Sequence, residues 1–390
     1  MTAKEKALDV LLRGGLAAIL VVAWAVLAKA QQFTSHTLQH DGLTRTYRLF
    51  LPSDYAIGAA IPLVLNLHGR GSTGVEQALY TDMNAVADTA GFAVCYPDGV
   101  NREWNVGWSF GSGADDLGFL TRLIDTLQAG YGFDARRTYS CGMSNGGFMS
   151  YELSCERPER IAAIASVTGG MLPARRRRCN PGLPVPVLQI HGTADPIVRY
   201  GGTDGVNEAI EATVAGWVAL NGCDAEPTVA AVPDRRDDGF TTERLVYGGC
   251  DGGAEVQLMR VDGGRHTWPG GAIEIDPAAG GGTTYDFSAT AEIWGFFRRF
   301  ARDGTSSATD PGSASEVLRV WPNPVRWGRL SLKPTTRDRT IEVWDARGQL
   351  VTSVSVPAGV GTLDIGRPAV GVYLLRERGA GGQAERLLVE

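Results

Sequence analysis

The stretch Thr138–Gly147, Thr-Tyr-Ser-Cys-Gly-Met-Ser-Asn-Gly-Gly, constrains the fold more than any other. An apolar run with β character leads into Gly142-Met143-Ser144-Asn145-Gly146, a G-x-S-x-G pattern, and Phe148–Leu153 follows with helical spacing. So sharp a strand-to-helix turn leaves no room for a Cβ on either flank of the serine, and both flanks are glycine. The serine then sits at a helix N-terminus, where backbone N–H groups favour developing negative charge. The competing reading is a plain Gly/Ser turn, because chance matches are easy in a chain with 51 glycines.

The rest of the chain supplies the context. Pro62–Leu67, Phe92–Tyr96, Ile161–Val167, Val185–Ile190 and Glu255–Val261 are short apolar runs, as strands covered on both faces should be. Between them, Val75–Thr89, Asp116–Ala129, Val206–Leu220 and Ser288–Ala301 have helical periodicity. Thr44–Leu51 alternates and reads as an early, partly exposed strand. Strands alternating with such helices predict an α/β fold, a mostly parallel sheet with helices on both faces. The pattern changes at Asp303. Gly304–Ser315 is an aperiodic Gly/Ser/Thr/Asp/Pro stretch, and beyond it period-two runs recur at Arg329–Leu332, Thr340–Trp344, Leu350–Val354, Thr362–Ile365, Val372–Leu375 and Glu385–Val389. The expected organisation is a signal peptide over 1–30, a catalytic domain over 31–303, a flexible linker over 304–316 and a small antiparallel β-sandwich over 317–390.

Lys4, Lys6 and Arg13 precede the apolar run Leu16–Leu27, and Ala28-Lys29-Ala30 is an A-x-A cleavage pattern with Gln31 as the expected mature start. That run is too short to span a bilayer, so the mature form is expected to have no membrane anchor. A net charge of −6 gives no reason to expect nucleic acid or an anionic membrane as partner. The basic run Arg175–Arg178 reads as a solvated loop. Of the six cysteines, Cys95 and Cys141 lie inside strand-like runs and are expected as buried thiols. Cys155 ends the helix after Ser144, Cys179 sits in the next loop, and Cys223 and Cys250 bracket one insertion, so the expected bridges are Cys155–Cys179 and Cys223–Cys250. No pair has C-x-x-C spacing, so a structural zinc site is not expected.

A serine hydroxyl needs a base to take its proton and a third group to orient that base. On a fold of this kind the chain order is serine, acid, histidine, each past a strand end. The chain has five histidines. His36 and His40 precede the expected fold, His68 and His191 follow strands and precede glycines as turn formers would, and His266 alone lies late, in Gly263–Gly271. His266 is therefore the candidate base. Asp195, in His191-Gly192-Thr193-Ala194-Asp195-Pro196, is the candidate acid, ahead of Asp204 and Asp224, which lie farther from a strand end. Oxyanion donors should come from the amides of Asn145 and Arg70, the latter in the turn His68-Gly69-Arg70-Gly71. Such chemistry needs no metal or other cofactor. Trp104 and Trp108, in the loop Asp98–Gly113, and Trp268 beside the base are candidates for binding a flat ring or a sugar, against the alternative that they pack the loop.

The segments Pro62–Gly69, Tyr96–Gly99, Trp104-Asn105, Asp115–Leu120, Gly142–Gly147, His191–Asp195 and His266–Gly271 together resemble secreted α/β-hydrolases of the polyhydroxybutyrate depolymerase-like and feruloyl or acetylxylan esterase-like group, the carbohydrate esterase family one type. The resemblance spans roughly 32–302 and implies carboxylic-ester hydrolysis with Ser144, Asp195 and His266 as the triad. The sequence departs from the family at Trp108-Ser109-Phe110, where cysteines often stand. Val320–Pro324, Val343–Val351 and Gly371–Leu375 resemble a type IX secretion sorting domain, which implies that export machinery as a partner and a secreted or cell-surface protein. The expected function is hydrolysis of feruloyl or acetyl esters of polysaccharides or oligosaccharides. The alternatives are a polyhydroxybutyrate depolymerase, a serine peptidase and a catalytically inactive polymer-binding module.

Overall fold

The computed structural model describes residues 33–273, 282–302, 320–321, 329–332, 335, 337–345, 350–366, 371–377 and 385–389. The expected signal peptide and linker lie outside them. The chain divides into two compact units, Met1–Ser306 and Ser307–Glu390.

The first unit is built on one ten-stranded sheet, in the order β1-β2-β4-β3-β5-β6-β7-β10-β9-β8. Its strands are β1 Phe33–His40, β2 Leu43–Phe50, β3 Leu63–Leu67, β4 Ala93–Pro97, β5 Thr138–Met143, β6 Ala163–Val167, β7 Val187–Gly192, β8 Thr228–Val232, β9 Thr241–Tyr247 and β10 Val256–Asp262. From β4 through β3, β5, β6 and β7 to β10 every pairing is parallel. The pairs at both ends are antiparallel. The helices are α1 Gly74–Thr81, α2 Met83–Ala90, α3 Asp116–Tyr131, α4 Asn145–Glu156, α5 Pro173–Arg178, α6 Ile210–Leu220 and α7 Ala289–Phe297.

The period of two in β3 shows how the sheet sorts its side chains. Leu63, Leu65 and Leu67 enter one core with residues of α3, α4 and α6. Val64 enters the opposite core with residues of α1, α2 and α7. Each fully buried aliphatic or aromatic side chain contributes about 1.5–3 kcal/mol, so a sheet covered on both faces is strongly favoured. β5 lies in the middle of this sheet and carries the serine turn.

The structure adds to the sequence reading in several places. His36 and His40 belong to β1 rather than preceding the fold. The expected helix Val75–Thr89 is two helices, broken at Asp82, whose backbone is left-handed at φ 47°. The arginine run is not a loop: Pro173 starts helix α5, Arg176 pairs with Glu208 at 2.7 Å, and Arg175 approaches Glu152 at 3.6 Å. Cys155 is joined to Cys179 and Cys223 to Cys250, and Cys95 and Cys141 are buried thiols.

The second unit has two antiparallel sheets. One orders β11 Val320–Trp321, β12 Arg329–Leu332 and β15 Thr362–Asp364; the other orders β14 Leu350–Val356, β13 Arg339–Asp345, β16 Gly371–Glu377 and β17 Glu385–Val389. Leu330, Leu332 and Leu363 of the first share one core with Ile341, Val343 and Leu375 of the second, a small β-sandwich.

Candidate active site

β5 turns into α4 at Ser144, whose backbone has φ 53° and ψ −122°. A β-carbon-bearing residue rarely adopts this conformation, and here the surroundings over-determine it. The Ser144 amide donates to the Val167 carbonyl at 2.8 Å, and the Ser144 carbonyl accepts from the Phe148 amide at 3.0 Å. A Cβ on Gly142 would lie 2.6 Å from the Leu67 carbonyl oxygen, and one on Gly146 would overlap the same oxygen. The glycines are thus required by β3 next door.

Asp195 and His266 come from the ends of β7 and β10, which pair in parallel. The His266 Nδ1–H donates to Asp195 Oδ2 at 2.8 Å. Asp195 Oδ1 accepts from the Ile197 and Val198 amides at 2.8 and 2.9 Å. Burial opposes the charge on Asp195, but the hydrogen bonds from His191 and His266 outweigh it and hold the carboxyl well below its ordinary range. The Ala194 amide donates to the Gly264 carbonyl at 3.0 Å and ties the two loops together.

The turn after β3 abuts the serine: a Cβ on Gly69 would lie 3.5 Å from Ser144 Cβ. His68 holds this turn, as its sequence position suggested. Its Nδ1–H donates to the Gly69 carbonyl at 2.8 Å and its Nε2 accepts from the Gly99 amide at 2.9 Å. Burial pushes its pKa down, which suits that accepting role. The Arg70 guanidinium pairs with Glu103 at 2.8 Å and lies 5.1 Å from the Phe110 ring centre.

Two of the three candidate binding tryptophans are buried. Trp104 is 0% exposed and Trp268 2%, so neither offers a face to a ligand. Trp104 is a support. Its indole N–H donates to the His68 carbonyl at 2.9 Å, and its backbone is gripped at both ends by the Asn145 side chain, at 2.6 and 3.1 Å. Sequence reasoning assigned Asn145 only an amide, and nothing short-range signals its side chain's reach of 41 residues. The Trp268 indole donates to Thr290 at 3.0 Å in the core under α7. Trp108 is half-buried, with its indole N–H on the Val206 carbonyl at 3.0 Å. It carries the half-exposed Phe110, stacked at 5.3 Å, towards Arg70.

A cleft of about 450 Å³ opens over the serine. Ser144, His266 and Met143 line it together with Gly69–Ser72, Arg102, Ile273 and, from α1, Glu76, Leu79 and Tyr80. Leu79 and Ile273 are more than half exposed, so the cleft presents apolar side chains to solvent. A hydroxyl nucleophile, a histidine fixed by a carboxylate and backbone amides around one open cleft are the parts required for acyl transfer.

This sheet, with the serine on its central strand-to-helix turn, defines an α/β-hydrolase fold. The family described as esterase PHB depolymerase matches residues 45–176. NocK of Nocardia uniformis subsp. tsuyamanensis, which carries an esterase name, is 33% identical over 270 residues, covering 63% of this chain and 77% of that protein. Feruloyl esterase D of Neurospora crassa is 28% identical over 276 residues, covering 68% of this chain and 85% of that enzyme. Feruloyl esterase B of Piromyces equi is 29% identical over 245 residues, and the match covers 43% of its length. The chain belongs to the esterase PHB depolymerase family and is a carboxylic-ester hydrolase.

Proposed function

We propose that Ser144, His266 and Asp195 are the triad of a secreted esterase acting on feruloyl or acetyl esters of polysaccharides or oligosaccharides. His266 Nε2 takes the Ser144 proton as Oγ attacks the ester carbonyl, and the Asn145 and Arg70 amides receive the developing oxyanion. Collapse expels the sugar hydroxyl with the proton from His266. Water, activated by the same imidazole, then releases the acid and frees Ser144. The observation that carries this reading is the 2.8 Å bond from His266 to Asp195, with the same imidazole facing the Ser144 cleft.

The substrate class is supported by the feruloyl esterase relatives and by the exposed apolar side chains of Leu79 and Ile273 in the cleft. The half-exposed Phe110, packed between Trp108 and Arg70, offers an exposed aromatic surface next to the cleft-lining Arg70. Polyhydroxybutyrate is the less favoured substrate. Eroding a solid polyester calls for a further domain that holds the surface, whereas the β-sandwich reads as a sorting domain engaged by type IX secretion machinery. Two disulfides suit an oxidising, extracellular destination.

Turnover on feruloyl and acetyl oligosaccharides, compared with clearing of a polyhydroxybutyrate suspension, tests the substrate; equal rates would overturn the preference. Ser144→Ala should lower kcat by about 10⁶-fold, since nucleophile and base act as a unit. Phe110→Ala should raise KM for a feruloyl ester more than for an acetyl ester.

A further inference from the structure

The acid Asp195 is held by two histidines. Besides His266, His191 on β7 places its Nε2 3.3 Å from Asp195 Oδ2, with both side chains sealed from solvent. The same Nε2 lies 2.8 Å from the Val198 carbonyl. The other ring nitrogen, Nδ1, lies 3.0 Å from Gln189 Nε2.

The direction of these bonds follows from groups that can act in only one way. Gln189 Nε2 also lies 3.0 Å from the Gly169 carbonyl, which can only accept, so the Gln189 amide nitrogen faces it. That nitrogen's second hydrogen points at His191 Nδ1, which must therefore accept. The single proton of the neutral ring is then on Nε2, facing two acceptors, Val198 O and Asp195 Oδ2. Gln189 Oε1 in turn accepts from the Tyr151 hydroxyl at 2.8 Å, on the helix that Ser144 begins. Tyr151, Gln189 and His191 are all buried. The chain of donors runs one way: Tyr151 to Gln189, Gln189 to His191, and from His191 an Nε2–H shared between the Val198 carbonyl at 2.8 Å and Asp195 Oδ2 at 3.3 Å.

We propose that His191 is a positioning residue for catalysis: its Nε2–H keeps Asp195 ionised and fixes Oδ2 towards His266, with its tautomer set from α4 through Gln189. The proposal rests on the Ser144–His266–Asp195 reading. The titratable groups facing the pair are His266 from the loop after β10, Tyr151 from α4 and Tyr200, whose ring meets His191 edge-on at 6.0 Å and whose hydroxyl bonds Glu211. Apart from His266 itself, none of these can become a cation that would replace the Nε2–H.

Losing that donor leaves Asp195 a stronger base, which pulls harder on the His266 proton. The acid limb of the kcat/KM profile should then move to higher pH, so activity falls more at pH 6 than at pH 8.

His191→Asn and His191→Gln separate positioning from packing. The asparagine oxygen can replace Nδ1 against Gln189, but its side chain is too short to reach Asp195. The glutamine amide extends to the Nε2 position. His191→Asn is expected to lose about tenfold in kcat/KM at pH 6, as for one hydrogen bond to a charged group, with the acid limb raised. His191→Gln should keep the wild-type limb. Coincident profiles for the Asn variant and wild type, or equal displacement in both variants, would overturn the proposal. Asp195→Asn, run alongside, separates the readings: if it retains wild-type turnover, the triad assignment itself has failed.

Discussion

Two carboxylates of the catalytic unit are buried to the same degree and behave oppositely. Asp195 is 4% exposed in the turn after β7, and Glu152 is 5% exposed two turns into α4. Three donors converge on Asp195, the His266 N–H and two backbone amides, a fourth N–H from His191 is shared with the Val198 carbonyl, and the Asp195 pKa is held low. Around Glu152 the nearest cation is Arg175 Nη1 at 3.6 Å, beyond hydrogen-bond reach. Desolvation dominates there, Arg175 offsets part of it, Glu156 adds to it, and the pKa is pushed up to about 7. Burial alone does not decide the state of a carboxylate; the number and reach of its donors do.

The largest effect should come from breaking the donor-rich end. Asp195→Asn replaces an acceptor of the His266 proton with an amide that can present a hydrogen instead, which misorients the imidazole. Steady-state kinetics on a soluble ester should show kcat reduced by about 10⁴-fold with KM little changed. A loss below tenfold would mean that the crowded hydrogen bonds around Asp195 serve the fold and not the reaction.

A smaller effect is expected at the donor-poor end. The Cys155–Cys179 bridge, spanning 24 residues, closes α4 onto the segment that carries Arg175. Replacing both cysteines with alanine should lower stability by ~2–4 kcal/mol, seen as a drop in Tm. Loosening that segment also lets water reach Glu152, so the variant's Tm should depend less on pH than that of the wild type. An unchanged pH dependence would show that the bridge does not keep Glu152 dry.

What could be read from the sequence follows the same division. That His266 would meet Asp195 and share a cleft with Ser144 was legible because acyl transfer demands particular residue types past particular strand ends, and the strands themselves are short apolar runs. Gln189 and His191 were not recognised as partners of the acid. The available signal was their spacing of two in an otherwise apolar strand, which puts two polar side chains on one buried face of β7. Trp104 was misread because a loop aromatic has no periodicity, and its burial is decided by Asn145 and His68, distant in sequence. The helix of the arginine run was missed although Pro173 marks its first turn; charge dominated a reading that the two glutamates in fact decide. The strands β8 and β9, at one end of the sheet, were missed inside the insertion that Cys223 and Cys250 bracket.

The smallest effect is the sharpest test of the comparison, because it isolates one proton. The folded-state pKa of Glu152, about 7, lies above its ordinary value of 4.5. A carboxyl whose pKa is raised by folding binds its proton more tightly in the folded state. Its contribution is therefore fully favourable below pH 4.5, declines as pH rises, and is lost by about pH 7. Ionised and buried with a distant partner, Glu152 should cost the protein roughly 3 kcal/mol at pH 8 relative to pH 4. Glu152→Gln removes the titration while keeping shape and polarity. Thermal melts at pH 5 and pH 8 should show the variant losing less stability across that interval than the wild type, while kcat stays within about twofold, since Glu152 does not line the cleft. Parallel melting curves for the two proteins would mean that Glu152 titrates as a solvated carboxylate, and the contrast with Asp195 would reduce to hydrogen bonding on one side only.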